Sequence, residues 1–327
     1  MNPKEFGRIG VLAGGPSNER EISLKSGEAV FNALRQKGAD VIFLDIKKEL
    51  TEYDVRGFDI DIAFIALHGR FGEDGTLQNI LENADMPYTG SGPLASRLAL
   101  DKIASREIFV KGGIDVPRYE VFHRENFDCA NFKKIAQIIK FPLVIKPQFE
   151  GSSIGISIVR REEELKNAAT SAFNYGDRII AEEYIGGREL TVGILDGKPL
   201  PVIEIVVTER FYNFKAKYNR EDTRYVVPAK IEAETYEDAQ AKASLAHILL
   251  GCECFSRVDM LLDGKSGKLF ILEVNSIPGL TNHSLLPKAA AAVGIDFGQL
   301  CLNIIEIALN RKGVSEVGKK SKEIQPT

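Results

Sequence analysis

Arg257 and Asp259 stand two residues apart in one apolar run, and Glu273 and Asn275 stand two apart in the next, so residues 254–275 read as a β-hairpin. Side chains two apart on a strand share a face, which lets these four polar groups converge. Two carboxylates and an amide oxygen are hard ligands of the kind magnesium takes, and nucleotide phosphates would complete its octahedron. Arg257 would then face developing negative charge. A solvated face of an antiparallel sheet produces the same pattern.

Lys146 ends the apolar run 143–145 and is followed by Pro147 and the small-residue loop Gly151, Ser152, Ser153, Ile154, Gly155. An ammonium beside a loop whose backbone can approach closely suits phosphate. The loop lacks the Gly-Lys-Ser/Thr ending of a Walker motif, and a hairpin connection beside a strand-end lysine would look the same. Glu182 and Glu189 bracket a Gly186-Gly187 hinge, where surface charge is the ordinary reading of a glutamate. Gly14-Gly15-Pro16-Ser17 leads into Asn18, Glu19 and a helix, for which Ser17 or Asn18 is the expected cap. His68 follows an apolar strand, and Ser152 has no evident histidine partner, so no nucleophilic triad is expected.

The elements that must position these residues change character along the chain. In the first hundred residues, short apolar strands (9–13, 41–44, 62–67) alternate with helices after Glu19 and from Thr76, the pattern of a parallel sheet flanked by helices. In such sheets ligands bind at the carboxyl ends of strands. A helix over 94–110 leads to strands near Tyr119, at 143–146, 156–159 and 179–183. From Glu189 the pattern is antiparallel, with Asp196-Gly197 a hairpin turn. The stripe Phe297, Leu300, Cys301, Ile304, Ile305, Ala308, Leu309 predicts a closing helix packed on the core. Beyond Arg311 the lysine-rich composition predicts disorder. The expected units are 1–100, 101–186, 187–312 and a polar tail, 313–327.

With 327 residues, 44% hydrophobic and 27% charged, the chain has room for two or three globular units. Its 42 basic and 46 acidic residues are mixed along the chain, without the basic stripe expected of a nucleic-acid binder. Cys129, Cys252, Cys254 and Cys301 show no zinc spacing and read as reduced thiols. No apolar run has the length of a secretion signal or a membrane span, so a cytoplasmic protein without membrane partners is expected.

Nine strings follow one another in the sequence: GGPSNEREISLKSG from Gly14, LHGRFGEDGTLQ from Leu67, YTGSG from Tyr88, DK at Asp101, VIKPQFEGSSIG from Val144, EEYIGGRELTV from Glu182, KAKY from Lys215, SRVDM from Ser256 and EVNSIPGLTNHSLLP from Glu273. In content and order they resemble the D-alanine–D-alanine ligase family of the ATP-grasp superfamily, over residues 8–311. Phe71, Ile277 and Leu280 depart from the family pattern. The resemblance implies an α/β fold, α+β in its C-terminal half, in which an N-terminal parallel-sheet domain precedes a two-part ATP-grasp fold. It implies ATP-dependent formation of D-alanyl-D-alanine through D-alanyl phosphate, supplying peptidoglycan synthesis.

By that resemblance Lys102, Lys146 and Lys217 would contact ATP phosphates, Glu182, Glu183, Tyr184, Ile185 and Phe211 would surround adenine, and Glu189 would bind ribose. Asp259, Glu273 and Asn275 would hold two magnesium ions, which manganese can replace. Glu19 would pair with the first D-alanine's ammonium, with His68 nearby. Ser284 and Leu285 would hold the second D-alanine. Arg257 and the Gly279 amide would stabilise the oxyanion, while Ser152 and Tyr218, linked towards Glu19, would close the site and handle the amine proton. Tyr218 rather than phenylalanine favours a dipeptide over the D-lactate ester. The nearest alternatives are D-alanine:D-lactate and D-alanine:D-serine ligases. A dinucleotide-binding oxidoreductase is disfavoured by the glycine spacing after the first strand, and a nucleotide sensor without turnover would keep ATP affinity if Arg257 were removed. Residues 208–225 are expected to form a lid, and the family implies a homodimer.

Overall fold

The computed structural model describes residues 3–127, 135, 137–207 and 223–311. Three parallel strands, β1 (Ile9–Gly14), β2 (Val41–Ile46) and β3 (Ile62–Ile65), form the first sheet in the order β2-β1-β3. Their connections carry helices α1 (Arg20–Gln36) and α2 (Glu52–Arg56), and α3 (Thr76–Asn83) follows. All six residues of β1 are buried. A central strand covered on both faces requires that continuous apolar run.

The predicted 94–110 helix is two helices, α4 (Pro93–Leu100) and α5 (Lys102–Lys111). The break falls at Asp101, which is extended (ψ 98°) and accepts from the amides of Ile103 and Ala104 at 3.0 and 3.1 Å. An N-cap carboxylate satisfying two orphan donors starts a new helix where apolar periodicity alone reads one continuous element. The α1 cap also differs from expectation. Glu19 occupies the cap position without a side-chain cap bond, while the Ser17 hydroxyl accepts from the Glu19 amide and donates to the His68 carbonyl.

A second sheet, wholly antiparallel, orders β4 (Tyr119–His123), β5 (Leu143–Pro147), β6 (Ser157–Val159) and β7 (Arg178–Glu183) as β4-β7-β5-β6, backed by α6 (Leu165–Phe173). The third contains β8 (Gly187–Leu195), β9 (Lys198–Pro199), β10 (Ile203–Val207), β11 (Thr223–Val226), β12 (Phe255–Asp263) and β13 (Leu269–Asn275), in the order β11-β10-β8-β12-β13 with β9 on β8. Asp196 and Gly197 both have positive φ (52° and 69°), as the tight turn between β8 and β9 requires. Helices α7 (Ala233–Leu249), α8 (Leu285–Ala291) and α9 (Phe297–Leu309) complete the chain. Residues 223–225, expected in the lid, are instead strand β11, paired with β10. The rest of that expected loop, including Phe211, Lys217 and Tyr218, lies outside the described residues, as do Cys129 and the tail from 312.

One apolar core joins the first sheet to the C-terminal helices, with Val11, Val30 and Phe64 packed together with Leu286, Ile304 and Ile305. No helix among the described residues is long and apolar enough to cross a membrane.

Candidate active site

The hairpin expectation holds in register. Arg257 lies opposite Asn275 and Asp259 opposite Glu273, so neighbouring pairs on β12 and β13 direct all four polar side chains to one face. Arg257 grips Asp259 through two parallel bonds, Nε to Oδ1 at 2.8 Å and Nη2 to Oδ2 at 2.6 Å. Thr191 on β8 donates to Asp259 Oδ1 at 2.7 Å and the Asn275 amide donates to Oδ2 at 3.0 Å. Four charge-assisted bonds hold a carboxylate that is nearly out of solvent, a preorganised arrangement rather than a solvated face. Glu273 faces Lys102, whose Nζ lies 3.5 Å from Oε2 and donates to the Glu150 carbonyl at 2.6 Å.

The first sheet contributes from its carboxyl edge. Glu19, at the start of α1, is buried and accepts a short hydrogen bond from the Ser152 hydroxyl. Ser152 and Ser153 both have positive φ (50° and 60°), a conformation rare for residues with side chains. Gly69 has φ +72°, and a Cβ there would stand 2.7 Å from Glu19 Oε2, so glycine admits the carboxylate. His68 is buried, with Nδ1 3.1 Å from the Ile277 carbonyl and Nε2 2.8 Å from the Ser26 hydroxyl. A carbonyl only accepts, so Nδ1 carries the proton and Nε2 accepts from Ser26. Burial lowers the imidazole's pKa against the raising effect of Glu19, in keeping with a neutral ring.

These groups line one cavity of about 540 Å³, a volume suited to small molecules. Of the expected residues, Glu19, His68, Lys102, Ser152, Arg257, Asp259, Glu273, Asn275, Gly279, Ser284 and Leu285 border it. Ser284 Oγ takes part in a tight turn with Thr281, bonded to its amide at 3.1 Å and paired with its hydroxyl at 2.9 Å. Lys146, Glu182, Glu183, Tyr184, Ile185 and Glu189 are not among the lining residues. The Glu182 carboxylate is engaged by cations on both sides, Lys146 Nζ at 2.5 Å and Arg106 Nη2 at 2.8 Å. Burial alone would raise its pKa, but Lys146 and Arg106 together hold it below the ordinary value. Lys146 is pushed down to about 8, first by burial and then by Arg106. Glu183 lies 3.6 Å from Arg118 at the surface, Ile185 is buried, and Glu189 sits in β8 between β10 and β12.

Two residues escaped the sequence reading. Arg106 sits one helical turn after Lys102, so the i, i+4 spacing that places both on one face of α5 was the available signal. Glu73 lies in the glycine-rich loop after His68, borders the cavity and accepts from the Gly69 amide at 2.5 Å. Burial and the nearby Glu19 charge raise its pKa from 4.5 to about 8. No spacing rule announces such a shift, because it depends on the distant segment that covers the group.

Family models described as D-ala D-ala ligase N-terminus and D-ala D-ala ligase C-terminus match residues 8–57 and 51–91, and residues 108–306, respectively. Among curated relatives, the chain is 45% identical over 309 residues to the D-alanine--D-alanine ligase of Nitrosomonas eutropha, covering 94% of this chain and 99% of that one. It is also 45% identical over 300 residues to that of Geobacter sulfurreducens, covering 91% and 93%. The fold is similar to the crystal structure of D-alanine--D-alanine ligase from Bacillus anthracis complexed with ATP, at TM-score 0.80 and 33% identity over 96% of this chain and 99% of that one. It is similar too to VanG D-Ala:D-Ser ligase from Enterococcus faecalis, at TM-score 0.80 and 32% identity over 92% and 99%.

Proposed function

The chain belongs to the D-alanine–D-alanine ligase family, and from that membership we propose that it uses ATP to join two D-alanine molecules into D-alanyl-D-alanine. The observation that carries the reading is the meeting, in one cavity, of the Glu19–Ser152 pair with the Arg257–Asp259–Asn275 network and the Lys102–Glu273 pair. Anionic and cationic ends for an amino acid lie beside a carboxylate and lysine set suited to a triphosphate.

In the first step a carboxylate oxygen of one D-alanine attacks the terminal phosphorus of ATP, the bond from phosphorus to the ADP oxygen breaks, and ADP leaves. In the second, the amine of another D-alanine adds to the acyl carbon, loses a proton, and the carbon–oxygen bond to phosphate breaks. Glu19 binds the first ammonium, with Ser152 fixing the orientation of its carboxylate. Lys102 and Lys146 neutralise phosphate charge, so positioning and electrostatics carry the phosphoryl transfer without a protein nucleophile. Arg257, with the Gly279 amide, faces the oxyanion of the second step. Ser284 and Leu285 border the place of the second D-alanine. Glu182 acts on the nucleotide through Lys146, while Tyr184, Ile185 and Glu189 offer contacts for adenine and ribose.

A metal at Asp259 would take the place of some of the hydrogen bonds from Arg257, Thr191 and Asn275, and with that change Asp259, Glu273 and Asn275 offer hard oxygens side by side on adjacent strands. They would hold the metal, which supplies charge neutralisation to the phosphates when bound. Incubation with ATP, magnesium and D-alanine, followed by mass analysis, should yield the dipeptide, ADP and phosphate; ATP left intact would sink the reading. Because the fold is shared with a D-Ala:D-Ser ligase, competition among D-alanine, D-serine and D-lactate tests the second substrate, and D-alanine should dominate. Sedimentation tests the homodimer expected of the family.

A further inference from the structure

Arg106 is fully buried on α5 and is not among the residues that line the cavity. Its Nη2 pairs with Glu182 at 2.8 Å, its Nη1 donates to the Lys102 carbonyl at 3.0 Å, and its guanidinium lies 5.9 Å from the centre of the Tyr119 ring. Glu182 already has a partner in Lys146. Two cations therefore share one carboxylate away from water, and the guanidinium Nε has no hydrogen-bond partner among the described residues. Such an arrangement is a poor means of stabilising a fold. Deleting the arginine would leave a balanced Lys146–Glu182 pair, and replacing buried charge by an apolar side chain of similar volume is often neutral or favourable.

What the arginine does supply is a bridge. Lys102 enters the cavity from the first turn of α5, and Lys146 lies in β5 on a different body of the protein. Arg106 touches the backbone of the first and the counter-ion of the second. We propose that Arg106 is a positioning residue for nucleotide binding, which fixes Lys102 and Lys146 relative to one another and keeps the Glu182 carboxylate from wholly neutralising Lys146. The inference rests on the reading of those two lysines as phosphate contacts. Removing one cation from a set that shares an acid leaves Lys146 more fully paired and less available to phosphate. The charged groups acting on Lys146 are Arg106, Glu182 and Glu273.

The test compares Arg106→Met, Arg106→Lys and Lys146→Met in the full chain by steady-state kinetics, calorimetric titration with magnesium ADP and thermal melting. R106M should raise the KM for ATP about tenfold, the scale of one charge-assisted contact, leave the KM for D-alanine within about twofold, and keep its melting temperature. R106K, which restores a cation opposite Glu182, should recover most of the ATP affinity. In wild-type protein ADP affinity should weaken above pH 8 as Lys146 loses its proton, and in R106M that alkaline limb should move to higher pH, because a repelling charge has gone. A purely structural arginine would lower the melting temperature and impair all substrates together without moving the limb. If K146M binds nucleotide like wild type, the reading of Lys146 falls and the inference falls with it. If K146M is impaired while R106M keeps its ATP affinity and its pH limb, the inference alone is overturned. Should R106M not fold, R106Q carries both readouts, since it keeps a donor for Glu182 and drops the charge.

Discussion

Arg257 and Glu73 are both ionisable groups beside the same cavity, but their surroundings treat them in opposite ways. Arg257 spends two of its donors on Asp259, which Thr191 and Asn275 also hold, so its position is fixed before any substrate arrives. Arg257→Ala should lower the rate of D-alanine-dependent phosphate release about 10²- to 10³-fold, the scale of losing one preorganised oxyanion donor. ADP affinity, measured by titration, should change far less. Glu73 is raised from 4.5 to about 8, by burial first and then by Glu19. Its folded-state pKa lies above the unfolded one, so its contribution to stability is intact below about pH 4.5 and is lost as pH rises to about 8. Glu73→Gln removes that dependence. Its stability in urea unfolding should match wild type near pH 4.5 and exceed it increasingly up to pH 8, by a margin on the order of 4 kcal/mol; parallel curves across this range would show that Glu73 titrates normally.

At the scale of elements, the junction at Asp101 decides where Lys102 points. The Asp101 carboxylate caps α5 and also receives both Gln148 bonds at 2.8 Å, tying the helix start to the segment that follows β5. Asp101→Ala should cost about 1 to 2 kcal/mol in urea unfolding, the range of a lost N-cap. It should also raise the KM for ATP more than the KM for D-alanine, because Lys102 loses its anchor. This junction marks the boundary of what the sequence made legible. The β12–β13 hairpin, the Asp196-Gly197 turn and the α9 stripe were readable because each depends on residues close in sequence, through period two, turn chemistry and period 3.6. The division of 94–110 at Asp101 was not, since Leu100 and Lys102 continue a helical pattern and only the cap interrupts it. Strand β11 was hidden for another reason: Thr223–Val226 is only four residues long, too short to show alternation, and is fixed as a strand by pairing with β10. Within the site, Asp259 and Glu273 were found by alternation, whereas the Arg106–Glu182 pair spans 76 residues of sequence and no local pattern reports it.

At the scale of the whole molecule, the cavity lies where separately cored bodies meet. The first sheet and the C-terminal helices share one core, so Glu19, His68 and Ser284 are borne on packed-together elements. The sheet β4-β7-β5-β6 with α6 is different. Its apolar cluster draws every buried member from the stretch between Phe122 and Ala181. Polar ties hold it to the rest: Ser152 to Glu19, the Glu150 carbonyl to Lys102, and Glu182 to Arg106. A body with its own core and polar external ties should open as one cooperative unit at lower free energy than global unfolding. Phe173 tests this, because it is buried in that cluster and meets the Phe127 ring edge-on at 5.1 Å. Phe173→Ala should remove about 3 to 5 kcal/mol of local stability. Hydrogen exchange should then speed up together in β4, β5, β6 and β7, with β1, β8 and β12 keeping wild-type rates, and magnesium ADP should slow the same four strands. An equal acceleration in β1 and β12 would mean that the molecule opens as a single unit and that the cavity is not framed by separable bodies.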